Sequence, residues 1–352
     1  MTTPSRAATV PLAILATFTV FYVLWVGQAL LVPLAIAVLI WYMINALAGL
    51  YTRFIFRKSA NWVTLTMALA TMAVGIGIVV NIVQNNITDV KAAAPGYKAD
   101  LDQWLVRVYE LFGIEDLPTF SQIVQEVDIG PIVTNFAGAL TGILGNLALI
   151  IVYVGFLLYE QKTFPGKLTG MFPDSDKRRE VRTLIDNIQS QIQTYIWIKT
   201  LVSAVTGLVG FIVLSMVGVD FASFWAFAIF LLNYIPVIGS VIATLFPALL
   251  TLIQFDTFTP FLIVGIGLTS AQFVVGNVIE PKLMGSTLNL SPLVVLLSLA
   301  LWGGLWGIPG MFLCVPIMVI ILIVLSHFNS TRPLAVMLSE SGKLADEDGH
   351  GL

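Results

Sequence analysis

Glu280 is the one acid that adjoins both a long apolar run and a helix-breaking sequence: it ends the charge-free stretch 257–279 and is followed by Pro281 and Lys282. A carboxylate there could take up a proton or a monovalent cation, or could pair with Lys282 or Lys199 at a membrane edge. A short set of uncharged polar residues lies in the apolar runs that precede it. Asn233 and Ser240 flank a break written Asn233-Tyr-Ile-Pro236-Val-Ile-Gly239-Ser240, and Gln272 and Asn277 lie on the stretch that leads to Glu280. An amide and a hydroxyl beside a broken helix could hold a polar ligand or a dehydrated cation; Asn233 could equally satisfy only the backbone groups that Pro236 frees. A second break, Trp302-Gly-Gly-Leu-Trp-Gly-Ile-Pro309-Gly310, completes the candidate set for binding or gating.

Other chemistry lacks its residues. The single cysteine, Cys314, forbids an internal disulfide, and His327 and His350 have no Cys, Asp or Glu at metal-ligand spacing. No G-x-x-x-x-G-K-[ST], H-E-x-x-H or G-x-S-x-G occurs. ATP hydrolysis by this chain and intramembrane catalysis are therefore not expected, nor are a cofactor, a metal centre or a nucleic-acid partner.

The elements that position these residues follow from where charge is missing. Of 352 residues 58% are hydrophobic, and no Asp, Glu, Lys or Arg occurs in 7–52, 59–88, 129–159, 200–219, 221–255, 257–279 or 283–331. Each run reaches the roughly 20 residues that a helix needs to cross a bilayer, so the chain reads as an all-α polytopic membrane protein. Stretches such as 149–158 and 315–325 are apolar on both parities, which excludes the alternating strands of a membrane β-barrel.

Fourteen of the 17 basic residues fall in alternate gaps between runs, and cytoplasmic loops carry the excess of Lys and Arg. That places both termini in the cytoplasm and the acid-rich block 85–135 outside. The expected organisation is three membrane helices in 1–84, an external helical cap over 85–135 and a fourth membrane helix in 136–160. A cytoplasmic loop (160–180) and an interfacial amphipathic helix follow within 161–197, then a transport half over 198–327 and a cytoplasmic tail, 328–352. The amphipathic segment carries Val181, Leu184, Ile188 and Ile192 on one face, the pattern of a helix lying on the lipid surface or of a lever between the two halves.

Within 198–327 a plain span followed by a broken pair occurs twice. Gly239 precedes Pro247 by eight residues, and Gly307 precedes Pro316 by nine. A broken pair returns the chain to the side it entered, so the first opens from outside and the second from inside. About eight membrane segments result, two of them broken or re-entrant hairpins in an inverted repeat. Inverted repeats with broken helices place transport sites at the membrane midplane; two ordinary proline-kinked hairpins are the plain alternative.

These segments resemble the autoinducer-2 exporter family of bacterial inner-membrane proteins. The resemblance rests on NYIPVIGS (233–240), NVIEPKLMGSTLNLSPLVVLLSLALWGGLWGIPGMFLCVPI (277–317), QTYIWIKTLVSAVTGLV (193–209) and LLVPLAIAVLIWYMINAL (30–47). It covers nearly the whole chain, least clearly 85–135. It implies an exporter of autoinducer-2 or similar small polar metabolites, a homo-oligomer of five subunits, and broken hairpins that belong to a moving unit. Some members of such a family exchange sodium or lithium for protons. The positions that match its motifs are Asn233, Pro236, Gly239 and Ser240 at the first break and Asn277, Glu280, Pro281, Met284 and Gly285 after the next span.

Three readings follow. The first is a secondary exporter of a small polar solute working by alternating access, its site and gates formed by the 233–240 and 302–310 breaks. The second is a sodium or lithium/proton antiporter using Glu280. The third is a membrane scaffold whose acidic external cap binds a partner.

Overall fold

The computed structural model describes residues 6–54, 62–82, 138, 142, 145–285 and 288–342. The expected external cap and the far C-terminal tail lie outside them. All regular structure among these residues is helical, apart from one isolated bridge between Leu290 and Ser339. Six helices are long and apolar enough to cross a membrane. The chain is an all-α polytopic membrane protein.

Helices α1 (Arg6–Val26) and α2 (Gln28–Phe54) are separated only by Gly27. Helix α3 is Trp62–Ile82 and α4 is Leu147–Met171. Helix α4 runs through Pro165, well past the point where a loop was expected. Proline removes one backbone hydrogen bond, but Leu168 beyond it is buried, so packing holds the extra turns in place. The connector expected over 160–180 shrinks to 172–174. Helix α5 (Ser175–Val217) then runs 43 residues without interruption, joining the amphipathic segment and the following span into one rod of about 65 Å. Asp174 caps it by accepting from the Asp176 N–H at 2.9 Å. Gly218, at φ +80°, ends it, with the Gly218 and Val219 N–H groups turned back onto the last carbonyls.

Helices α6 (Ala222–Leu232) and α7 (Ile238–Gln254) have 11 and 17 residues, about 16 and 26 Å, each short of the roughly 30 Å hydrocarbon core. The Gln254 side chain donates to the Gly218 carbonyl at 2.8 Å and accepts from the Asp220 N–H at 2.9 Å. The exit of this pair is thereby pinned to its entrance, and the pair is a re-entrant hairpin. Helix α8 (Thr259–Met284) follows, with a π turn at Val275–Ile279.

Helix α9 (Pro292–His327) is broken at Gly307, whose φ of 63° and ψ of −143° belong to no helix. Its arms fold together, since the Ser298 hydroxyl donates to the Cys314 carbonyl across the break at 3.2 Å. The base of this second hairpin is tied where the Ser291 N–H meets the Leu338 carbonyl, at the end of the short helix α10 (Arg332–Leu338).

Both hairpin tips use the same device. A Cβ at Gly239 would lie 1.8 Å from the Leu232 carbonyl oxygen, and one at Gly310 would lie 1.9 Å from that of Trp302. The structural counterpart of Gly239 is therefore Gly310, and not Gly307 as the proline spacing suggested. One apolar core joins α5, α8 and both hairpins through Ile192, Val202, Ile229, Val264 and Val319; a smaller one joins α2, α3 and α4 through Ile44, Ala68 and Ile150.

Candidate functional site

A cavity of about 830 Å³ lies between α5, the first hairpin and α8, with Val295 and Val315 of the second hairpin in its wall. Six of the sequence candidates line it: Asn233, Pro236, Ser240, Gln272, Asn277 and Glu280. Gly239 sits behind the wall as a buried packing point of the tip. Pro309 and Gly310 do not line it. The second tip lies instead against the first helical pair, where the Trp306 indole N–H donates to the Leu24 carbonyl at 3.0 Å.

On the orientation given by the basic residues, Leu24 lies near the outer end of α1, whereas the first tip reaches toward the cytoplasmic end of the bundle. The Tyr234 hydroxyl is 2.7 Å from that of Thr200, which lies 17 residues, about 26 Å, from the outer end of α5. The hairpins therefore pass one another instead of meeting tip to tip, in contact where the Tyr234 and Phe312 rings stack at 5.9 Å.

Glu280 closes the cytoplasmic end of the cavity. Its Oε1 lies 2.6 Å from Lys199 Nζ, and both side chains are largely buried, at 18% and 9% exposure. Of the two partners weighed from sequence, Lys199 is the one bonded, and each charge offsets the other. The π turn explains how Glu280 reaches this position. Pro281 has no N–H to offer the preceding turn, and the Glu280 N–H bonds to the Val275 carbonyl five residues back, so the helix widens there.

Above the ion pair, Asn233 donates from Nδ2 to the Ser203 hydroxyl at 3.1 Å. Next to it the backbone is strained. Val237 has φ 60° and ψ −63°, and the Ile238 N–H meets the Pro236 carbonyl at 2.6 Å, which makes a γ turn of the rare positive-φ form at a β-branched residue. Across the cavity the Gln272 Nε2 group is buried with no hydrogen-bond partner among the described residues. Leaving such a donor unmade costs about 1–3 kcal/mol; the rest of the Gln272 side chain shares the cavity wall with Thr244 and Thr269. Among the described residues no group of His, Cys, Asp and Glu could hold a metal ion.

Sequence reasoning missed Ser203, Thr200, Thr244, Thr269 and the role of Tyr234. Ser and Thr recur in membrane helices with their hydroxyls bonded to the preceding turn, and pattern alone does not separate these. Lys199 did leave a signal, as the last charge before a 20-residue apolar run.

A helical membrane bundle with two hairpins beside a cavity whose largely apolar wall carries a few polar side chains is the build of a multi-pass transporter. The chain belongs to the AI-2E transporter family, whose profile matches residues 12–330. It is similar to a Haemophilus influenzae protein provisionally named as a transport protein, 33% identical over 295 residues that cover 81% of this chain and 83% of the relative. A Borreliella burgdorferi protein, provisionally named in the same way, is 35% identical over 231 residues, and the match spans 64% of each chain, just under two thirds of the relative's length. The AI-2 transport protein TqsA of Escherichia coli (strain K12) is 36% identical over 212 residues, 60% of each chain. With its apolar helices and bacterial family, the chain is a multi-pass protein of the inner membrane.

Proposed function

We propose that this chain is a secondary transporter that exports a small polar solute, autoinducer-2 or a similar metabolite, by alternating access of the cavity to the two sides of the membrane. The observation that carries the reading is the gathering of Asn233, Ser240, Gln272 and Asn277 in one cavity wall, with the Gln272 amide nitrogen buried behind that surface and unpartnered. Buried donors in native structures have partners, and a polyhydroxylated solute would supply one. The mutual neutralisation of Lys199 and Glu280 favours an uncharged cargo over an ion. The name of TqsA, an AI-2 transport protein, adds support at the level of the family. Homo-oligomerisation belongs to the same proposal and rests on the resemblance alone.

Vesicles reconstituted with the full chain and loaded with labelled autoinducer-2 test the cargo: release that falls in Gln272→Leu is expected, and release equal to that of empty vesicles refutes it. Alternating access is tested with Ser240→Cys in a Cys314→Ala background, which should react with impermeant thiol reagents from either face as conditions change. Labelling confined to one face under every condition would rule the movement out. The antiporter reading has one observation behind it, the Glu280 carboxylate in the cavity wall at the end of the π turn. Discharge of an imposed pH gradient by sodium or lithium, lost in Glu280→Gln, would establish it.

A further inference from the structure

A second cavity, of about 690 Å³, lies at the cytoplasmic end of the bundle between α4 and the first turns of α5. Its wall carries three guanidinium groups, Arg178, Arg179 and Arg182, above an apolar floor of Leu157, Phe164 and Leu168. Two acids, Glu160 and Asp186, share the wall, and each has a basic partner. Glu160 is paired with Lys167, and Asp186 lies 3.9 Å from Arg182. Neither Arg178 nor Arg179 has a carboxylate at ion-pair distance among the described residues.

The floor is rigid. The Trp41 indole N–H donates to Gln161 Oε1 at 2.7 Å, and Gln161 Nε2 donates to Asn45 Oδ1 at 3.0 Å. Outside the cavity Met171 is 70% exposed, and Phe164 at the outer edge of the floor is 41% exposed, with Lys162 and Lys167 close in sequence. Apolar side chains at the surface with basic ones beside them mark a hairpin seated in the cytoplasmic leaflet.

We propose that this cavity is a binding site for an anionic phospholipid. The headgroup phosphate would sit among Arg178, Arg179 and Arg182, which suit the geometry of phosphate oxygens, and the acyl chains would run along Leu157, Phe164 and Leu168. Arg178, whose Nη1 also donates to the Phe172 carbonyl at 3.5 Å, and Arg179 have no carboxylate at ion-pair distance among the described residues and supply the charge, and the apolar floor supplies what free phosphate cannot use. Basic pockets between membrane helices on this side recognise lipid headgroups by such chemistry.

Native mass spectrometry of the full chain in detergent, titrated with phosphatidylglycerol, phosphatidylcholine and inorganic phosphate, tests it. Retention of phosphatidylglycerol is expected to exceed that of phosphatidylcholine and to fall about fivefold for each arginine removed in Arg178→Gln and Arg179→Gln. The lysine versions, Arg178→Lys and Arg179→Lys, should keep most of it. If the double glutamine variant does not fold, the single Arg179→Gln variant reads the same fivefold loss. Lys177→Gln, an equal charge change on the same hairpin outside the cavity, should leave retention unchanged; an equal loss there would show diffuse surface charge and overturn the site. Inorganic phosphate competing as well as lipid would overturn the lipid assignment, and crosslinks that place a second copy of the chain in the cavity would do the same.

Discussion

Lys199 and Glu280, 81 residues apart in sequence, meet through a 2.6 Å contact that ties the membrane part of α5 to the π-widened end of α8. In a buried pair the loss of one partner leaves an uncompensated charge, which costs about 3–5 kcal/mol, whereas replacing both by apolar groups is close to neutral. Glu280→Leu and Lys199→Met should each lower the thermal midpoint of the purified protein sharply, and the double variant should recover most of the loss. Single variants that melt like the parent would mean that water screens the pair.

The γ turn at Val237 stores strain of order 1–3 kcal/mol, which glycine relieves at an entropic cost of about 0.5–1 kcal/mol. Since the Val237 side chain is largely exposed, little packing is lost. Val237→Gly should therefore raise stability by about 1 kcal/mol in a denaturation series. A fall of the same size would show that the turn is not strained.

The two tip glycines should behave alike. Alanine at Gly239 or Gly310 forces a Cβ to within 2 Å of a backbone carbonyl oxygen, with no flexible side chain to give way. Each substitution should cost more than about 3 kcal/mol, in the upper range of single-site effects, and lower the yield of folded protein. Gly304→Ala, where nothing lies within 4 Å of the new methyl, serves as the matched control on the second hairpin. If Gly310→Ala expresses like Gly304→Ala, the shared tip geometry is refuted.

Gln272→Leu should separate stability from transport. Replacing a buried amide donor that has no partner removes its desolvation penalty, about 1–3 kcal/mol, so the variant should melt at a higher temperature while transporting more slowly. A variant both less stable and less active would assign the amide a structural role.

The membrane class, both hairpins and six residues of the cavity wall were legible because each rests on a local property: absence of charge over a span's length, or a polar residue, Gly or Pro where a helix must stop. What escaped reading depends on packing. Pro165 looks like a loop residue until Leu168 is seen to be buried, and the lipid-surface helix cannot be recognised as part of one 43-residue rod from its amphipathic pattern. Pro309 and Gly310 match the first break in type but lie toward the opposite end of the bundle, because how deep a hairpin reaches is set by its neighbours. The π turn before Glu280 had only Pro281 as its sign.

The pairing of Lys199 with Glu280 also has an electrical consequence. A charge carried across the bilayer does work against the membrane potential of about 2.3 kcal/mol per 100 mV. Among the described residues the wall of the main cavity holds one positive and one negative side chain and no other charged one. If the cavity reorients with an uncharged cargo, as proposed, it would carry the same zero net charge loaded and empty, and that step would be indifferent to voltage.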